Sequence, residues 1–89
     1  MKNNSLLYHT YPSLDLHGEK PDTIEFLIND FINDQIKLKN YHIIIVHGIG
    51  KYIIKNRLYE VLANNKNVLH YELTYNNIGS TYVELRVDK

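Results

Sequence analysis

The sequence predicts one α/β domain, a two-layer sandwich in which two helices pack on a mixed four-stranded sheet in the order β-α-β-α-β-β. Three features of the 89-residue chain indicate this class. Two segments with helical apolar spacing alternate with short strand-like segments, two further strand-like segments end the chain, and no repeat or low-complexity segment interrupts this order. One domain of this length has a thin core and a marginal free energy of unfolding.

The first half of the chain predicts an arm, a strand and a helix. Residues 1–12 show no clear hydrophobic period and are expected to form an N-terminal arm, so that the domain covers residues 13–89. The alternating segment SLDL, residues 13–16, predicts the first strand. Pro21 suits the first turn of a helix, and apolar residues at three- and four-residue spacing continue that helix to about Lys39.

The second half predicts a buried strand, a helix and a hairpin. The uninterrupted apolar run in YHIIIVHG, residues 41–48, is typical of a central strand buried on both faces. A second helical period begins near Lys51 and ends in the polar segment NNKN, residues 64–67. The alternating segments VLHYELTY and STYVELRV flank NNIG, whose Asn and Gly residues tolerate positive φ, so they predict a β-hairpin.

Composition and charge limit the classes of function. Ten Lys and Arg residues balance ten Asp and Glu residues, so no global field attracts the chain to nucleic acid or to a membrane. The sequence contains no Cys, which excludes disulfides, thiolate nucleophiles and thiolate metal sites. No segment approaches the roughly 20 apolar residues of a membrane span, and the N-terminus lacks the apolar segment of a signal peptide. We therefore expect a soluble, cytoplasmic, monomeric protein without a membrane partner.

The dipeptide His-Gly follows two separate apolar segments, in LDLHG and in IIIVHGIG. If the first two strands share a sheet, the helix between them makes them parallel, and their carboxyl ends lie at one edge. His17 and His47 would meet at that edge, where ligands of open α/β sheets bind. Gly48 and Gly50 would let backbone N–H groups approach an anion, and the following helix dipole favours negative charge. A phosphate group is the natural occupant of such a site.

Each candidate residue also has a simpler explanation that stays open. Asp15 either orients His17 or is a solvent-facing or capping carboxylate, and His17 either transfers protons near neutral pH or stabilises its loop. His47 either serves as a second acid–base group or fixes the glycine loop. Tyr52 either stacks on a base or packs against its neighbours. The two histidines and Asp15 lack the close spacing of a metal site, so no metal ligand is assigned.

These motifs resemble the Smr (small MutS-related) domain across about residues 13–87. The resemblance rests on LDLHG, on the loop HGIG and on the closing segment GSTYVEL, in which the pattern positions are Gly79, Thr81, Val83 and Leu85. It implies a fold similar to the C-terminal domain of bacterial translation initiation factor three. It also implies nuclease activity on RNA or DNA, with the ribosome as a partner of some members. The residues to which the resemblance assigns roles are Asp15, His17, His47, Gly48 and Gly50.

The second loop departs from the family pattern, which commonly reads His-Gly-Lys-Gly-x-Gly followed by Leu-Arg. Ile49 replaces the Lys, Tyr52 replaces the further Gly, and Lys55 stands at the Arg position. Lys51 or Lys55 could supply the missing positive charge, although Lys lacks the bidentate fork of Arg. The residues that we predict to bind phosphate or nucleic acid are Gly18, Gly48, Gly50, Lys51, Tyr52 and Lys55.

The residues and the resemblance together predict an endonuclease with Asp15, His17 and His47 as catalytic residues. On RNA, His17 would deprotonate the 2′-hydroxyl for in-line attack on the adjacent phosphate, which requires no metal cofactor. On DNA a water must be activated, for which a divalent metal would be more useful. RNA is therefore the favoured substrate. The alternatives are a DNA-nicking endonuclease and a non-catalytic module that binds nucleic acid or the ribosome; a structural interaction domain is the least supported.

Overall fold

The computed structural model describes residues 10–50, 52–74 and 77–87 of the chain. The helices and strands follow the predicted order, which confirms the α/β class. They are β1 (Ser13–Asp15), α1 (Pro21–Lys37), β2 (His42–Val46), α2 (Ile53–Ala63), β3 (Val68–Thr74) and β4 (Asn77–Leu85). In the part of the chain that is described, neither helix has the length and apolar character that crossing a membrane requires.

The strand order β1-β2-β4-β3 positions the two His-Gly loops. β1 pairs with β2 in parallel, with Leu14 opposite Ile45, whereas β4 pairs antiparallel with both β2 and β3. The predicted mixed four-stranded sheet and its terminal hairpin are therefore confirmed. Because the two parallel strands are direct neighbours, the loops that leave their carboxyl ends begin side by side.

The core lies between the two helices and one face of the sheet. In α1 the buried apolar side chains recur every four residues, at Ile24, Ile28 and Ile32, as expected for an amphipathic helix. β2 is buried on both faces, as predicted, since Ile43, Ile44 and Ile45 are all buried. The members of the core are Leu16, Ile24, Ile28, Ile32, Ile43, Ile45, Leu58, Val61, Leu62, Val83 and Leu85.

The first helix ends at Lys37, two residues before the predicted end, because Lys39 adopts a left-handed φ of 63°. The amide of Lys39 donates to the carbonyl of Ile36, and the amide of Asn40 donates to the carbonyl of Gln35. This pair of bonds is the Schellman arrangement that usually ends on glycine. It satisfies carbonyl groups that the last turn of the helix would otherwise leave unpaired.

The fourth strand begins at Asn77, three residues before the predicted start at Ser80. We had expected NNIG to form a turn, but three of its four residues belong to β4. The carbonyl oxygen of Gly79 accepts hydrogen bonds from the amides of His47 and Gly48, both at 2.9 Å. These bonds tie the start of β4 to the loop after β2, which extends the regular strand.

The end of the predicted N-terminal arm contacts the sheet. The ring of Tyr11 stacks on that of His42 with 5.3 Å between centroids, and the carbonyl of Pro12 accepts a hydrogen bond from the amide of Ile44 at 2.9 Å. The rest of that arm, residues 1–9, lies outside the described residues. The predicted division between an arm and a domain at residues 12 and 13 stays a prediction.

Candidate nucleic-acid site

The two His-Gly loops meet at the carboxyl edge of the parallel strands and enclose a pocket of ≈ 460 Å³ together with the start of α2. Asp15 lies behind the pocket in contact with His17, and Lys55 also lies outside the lining. Lys51 lies outside the described residues. The predicted site residues that line the pocket are His17, Gly18, His47, Gly48, Gly50 and Tyr52.

The first loop holds a histidine–aspartate pair at the end of β1. Leu16 is fully buried, and its amide donates to the carbonyl of Val46 at 2.7 Å, which anchors this part of the loop to β2. The side chains of Asp15 and His17 on either side of it are 56% and 73% exposed. Gly18 then turns the chain toward α1 with a φ of 86°. The predicted acid–base candidate is therefore open to solvent on an anchored loop.

The pair is closed by two hydrogen bonds. Nδ1 of His17 lies 2.8 Å from Oδ1 of Asp15, and the same oxygen accepts the backbone N–H of His17 at 3.0 Å. The side-chain bond, reinforced by Coulomb attraction, raises the pKa of His17. The same side-chain bond and then the backbone bond lower the pKa of Asp15. Since Nδ1 donates to the carboxylate, Nε2 is the nitrogen that can accept a proton from a ligand.

His47 is buried, and both of its ring nitrogens are engaged. Nδ1 lies 3.0 Å from the carbonyl oxygen of Gly48, and Nε2 lies 2.9 Å from the hydroxyl oxygen of Thr81. The Tyr59 hydroxyl lies 2.9 Å from that same oxygen. Burial lowers the pKa of His47; the bond to Gly48 opposes this effect, and the charge of Lys55 adds to it. This geometry favours the loop-fixing role of His47 over proton transfer.

Sequence reasoning did not identify two members of this network. Thr81 was recognised only as a position in the closing strand pattern, and Tyr59 was not singled out. The hydroxyl of Thr81 bridges the ring of His47 and the hydroxyl of Tyr59. Tyr59 belongs to an amphipathic helix, where a half-buried tyrosine carries no separate signal. A Thr among apolar residues at alternate strand positions is the sequence signal that could have indicated a buried hydrogen-bond partner. Thr81 is indeed fully buried.

The glycine loop offers fewer free amides than expected. The N–H of Gly48 donates to the carbonyl of Gly79 at 2.9 Å, so the predicted phosphate contact through this amide is not available. The amide of Gly50, in contrast, has no hydrogen-bond partner among the residues that the structure describes. Gly48 has a φ of 83°, which explains the glycine at this position. A Cβ atom there would lie 3.7 Å from the Cβ of His17, an ordinary contact distance.

The start of α2 forms the remaining wall of the pocket. The helix begins at Ile53, two residues later than predicted, because Tyr52 has a left-handed φ of 63°. The side chain of the N-cap residue Tyr52 makes no capping hydrogen bond, and the first amides of a helix have no intrahelical partners. Nζ of Lys55 lies 5.6 Å from the ring centroid of Tyr52 and 5.4 Å from that of Tyr59. Cation–π contacts therefore hold the Lys55 ammonium group beside the pocket wall.

Of the side chains considered as metal ligands, His47 has both ring nitrogens engaged within the protein, whereas the bond between Asp15 and His17 leaves Nε2 of His17 available. Across residues 10–50, 52–74 and 77–87, no group of three or more His, Cys, Asp or Glu side chains is placed to hold a metal ion.

The sequence is similar to known proteins over nearly its whole length. The sequence profile described as the Smr domain matches residues 14–86. The protein named Endonuclease MutS2 of Halothermothrix orenii is 25% identical over 88 residues, which cover 89% of this chain and 11% of that protein. The chain thus spans about a tenth of the length of this relative.

Two solved structures share the fold. The Smr domain of Thermus thermophilus MutS2 superposes with a TM-score of 0.81 at 20% identity, covering 84% of this chain and 98% of that one. YdaL, a stand-alone small MutS-related protein from Escherichia coli, gives a TM-score of 0.76 at 21% identity, covering 97% of this chain and 77% of that one. These matches confirm the arrangement of two helices on a mixed sheet.

Proposed function

The chain belongs to the Smr domain family, and on that premise we propose that it is an endonuclease that cleaves RNA without a metal cofactor. The observation that carries the proposal is the exposed pair of His17 and Asp15 at the rim of a pocket lined by the second His-Gly loop. A relative whose alignment covers 89% of this chain is named an endonuclease.

His17 is suited to act as a general base. Its bond to Asp15 holds the proton on Nδ1 and leaves Nε2 able to accept one from a bound substrate. The carboxylate also stabilises the imidazolium that forms when His17 takes up the proton, in the way that a buried Asp supports His in hydrolase triads. Exposure of the pair lets a large polymeric substrate reach it.

The proposed reaction uses a nucleophile that RNA itself carries. Nε2 of His17 removes the proton of a 2′-hydroxyl, and the 2′-oxygen forms a bond to the adjacent phosphorus. The bond from phosphorus to the 5′-oxygen breaks, and the departing oxygen takes a proton from solvent. The products are a 2′,3′-cyclic phosphate and a 5′-hydroxyl end. Lys51, which lies outside the described residues, stays a candidate for support of the departing oxygen.

Backbone amides are proposed to hold the phosphate. The amide of Gly50 and the uncapped first turn of α2, which begins at Ile53, lie at the pocket. Amides at a helix N-terminus attract an anion through their partial positive charge, and they can stabilise the additional charge of the transition state. In this proposal His47 is a positioning residue that holds the carbonyl of Gly48.

RNA is favoured over DNA because DNA lacks the internal nucleophile. Cleavage of DNA would require an activated water, for which a metal is the usual means, and His47 has no free ring nitrogen with which to join Asp15 and His17 in a metal site. The ribosome, suggested by the resemblance described above, stays a predicted partner, and a module that binds nucleic acid without cleaving it stays the second candidate.

The test is a cleavage assay with end-labelled single-stranded RNA and, separately, duplex DNA, each with and without EDTA. We expect RNA cleavage that survives EDTA and leaves cyclic phosphate ends, and we expect His17→Ala to lower its rate by roughly 10²- to 10⁴-fold. His70→Ala is the matched control, because His70 forms a similar exposed pair with Glu72 on β3, 2.9 Å from Nε2 to the carboxylate.

Three results would contradict this proposal. RNA products with 3′-hydroxyl and 5′-phosphate ends would exclude attack by the 2′-hydroxyl, and loss of cleavage in EDTA would indicate a metal. If wild type and His17→Ala bind RNA equally and neither cleaves RNA or DNA, the chain is a binding module.

A further inference from the structure

We propose that the pocket beside His17 holds the base of an unpaired nucleotide, so that the protein acts on single-stranded nucleic acid and not on a regular duplex. This inference rests on the proposed nuclease function, because it specifies the substrate class of the same pocket. It is carried by the side chains of the pocket wall and by the charges that line the pocket.

One wall of the pocket consists of exposed apolar side chains. Ile49, Tyr52 and Ile53 line it, and 56%, 49% and 54% of their surface is open to solvent. Single exposed apolar residues are common, but a contiguous group at the rim of a concave site marks a surface that a ligand covers. A flat apolar group placed against these three side chains would remove their surface from water.

The charges that line the pocket do not suit a ligand that is only an anion. Among the described lining residues there is no Lys or Arg, and Glu19 is acidic. The ammonium group of Lys55 lies over the rings of Tyr52 and Tyr59 and not in the lining. A phosphate alone would gain little from the apolar wall. An uncharged base attached to a phosphate satisfies both the wall and the amides near Gly50.

Tyr52 offers an aromatic surface at the pocket. Its φ of 63° is uncommon for a residue other than glycine and carries a steric cost. The Lys55 ammonium lies near the ring, which nevertheless keeps about half of its surface exposed. Bases of any sequence stack on tyrosine because each has an aromatic face.

A base that enters this pocket cannot be paired in a helix. Within a duplex, each base is stacked on its neighbours and its faces are covered, so proteins contact base faces only in single strands, loops or flipped nucleotides. The pocket volume of ≈ 460 Å³ lies within the roughly 300–1,000 Å³ typical of sites for small ligands. The structure therefore favours single strands and loops as substrates.

The test measures binding separately from cleavage. Fluorescence anisotropy with the His17→Ala protein, which keeps the RNA intact, compares three probes with the same number of nucleotides: a single strand, the same strand without its bases, and a blunt-ended duplex of two half-length strands. We expect the single strand to bind about tenfold more tightly than either of the other probes, which corresponds to the stacking of one base.

Variants of Tyr52 test whether its ring is the surface on which the base stacks. In the His17→Ala background, Tyr52→Asn removes the ring but keeps a residue that tolerates a left-handed φ, and it should reduce the affinity for the single strand to that for the abasic strand. Tyr52→Phe should retain the affinity. Phe26→Asn makes a comparable change at an exposed position of α1 outside the pocket and should leave the affinity unchanged.

The outcomes separate this inference from the nuclease proposal. Equal binding of the base-containing and abasic strands, tighter binding of the duplex, or no binding of any probe would overturn the inference. Base-dependent binding, together with wild-type protein that leaves RNA intact, would retain the base pocket and remove the nuclease. If Tyr52→Asn does not fold, as judged by circular dichroism, the comparison of the three probes decides alone.

Discussion

At the scale of single residues, His17 and His47 differ in exposure and in the partners of their ring nitrogens. His17 is exposed and bonded to Asp15, which raises its pKa, whereas burial lowers the pKa of His47. Titratable groups whose environments move their pKa values apart are suited to different tasks. One histidine can therefore exchange protons with a substrate, while the other stays neutral and holds its loop.

Removing the carboxylate from the pair should change the pH dependence of cleavage. The neutral form of His17 is the base, so wild-type activity rises with pH as His17 loses its proton at its raised pKa. In Asp15→Asn this pKa returns toward about 6.5, and the acid limb of the profile moves to lower pH. The maximal rate also falls, because the imidazolium loses its partner. Initial rates of RNA cleavage from about pH 5 to 8 would measure both effects.

An acid limb that keeps its position in Asp15→Asn would show that another group controls the rate. Glu72→Gln is the matched control, since it removes the carboxylate from the His70 pair on β3 and should leave the profile unchanged.

The buried histidine should make the free energy of unfolding decrease in acid. Because burial lowers the pKa of His47 in the folded state, the unfolded chain takes up the proton first as the pH falls. The contribution of neutral His47 to the free energy of unfolding is complete above about pH 6.5. It is lost as the pH falls from there toward the lowered folded-state pKa. His47→Gln does not titrate, so its stability should depend less on pH, at a cost near neutrality of about 1–3 kcal/mol from altered hydrogen bonds.

Urea unfolding of wild type and His47→Gln at about pH 7.5 and pH 5.5, on either side of the ordinary histidine pKa, would measure this difference. His70→Gln should retain the wild-type decrease, because His70 is exposed. The same pH dependence in wild type and His47→Gln would mean that other groups cause the acid destabilisation.

At the scale of elements, the loop after β2 is held by the neighbouring strand. The carbonyl of Gly79 at the start of β4 binds the amides of His47 and Gly48, and Thr81 further along β4 binds the ring of His47. The parallel pairing of β1 with β2 brings the first loop beside it. The geometry of the pocket thus depends on three strands, although only two of them end there.

Two glycines in this loop should respond differently to an added methyl group. Gly48→Ala places a Cβ on a residue with a φ of 83°, which should cost about 1–2 kcal/mol of stability. Gly50→Ala adds a Cβ with no atom within 4 Å and without a positive φ, so its stability should change by less than about 0.5 kcal/mol. Urea unfolding and RNA cleavage rates would measure both variants.

Equal stability of the two alanine variants would contradict this interpretation of the loop. A large loss of cleavage in Gly50→Ala with unchanged stability would instead indicate that the backbone at Gly50 lies against the substrate.

At the scale of the whole molecule, one small core stabilises the site. Ile28 is fully buried in the middle of α1, and Ile28→Ala should cost about 2–5 kcal/mol. A domain of 89 residues has roughly 4–13 kcal/mol of stability in total, so this variant should lose a large part of it. Phe26→Ala on the same helix is the control, because Phe26 is 71% exposed and should change stability by less than about 0.5 kcal/mol.

Urea unfolding would measure both variants. A cost for Phe26→Ala as large as that for Ile28→Ala would show that the exposed face of α1 is covered in solution, by another copy or by another part of the chain.

Local sequence patterns were enough to predict the order of the elements, the class of the fold and the position of the two His-Gly loops. These follow from local patterns, since the spacing of apolar residues distinguishes helix from strand and a helical crossover makes neighbouring strands parallel. The pairing of Asp15 with His17 was also within reach, because the two residues are only two positions apart in one loop.

The hydrogen bonds of His47 and Gly48 to β4 and the backbone conformation of Tyr52 follow from the tertiary structure. Nε2 of His47 and the amide of Gly48 bind Thr81 and Gly79, which are more than 30 positions away on β4, and no local pattern specifies these partners. The sequence predicted that Tyr52 lies inside a helix, but its backbone is left-handed and the helix begins at Ile53. Burial and hydrogen bonding between distant segments determine which polar groups are free to bind a ligand, and they exist only once the sheet has formed.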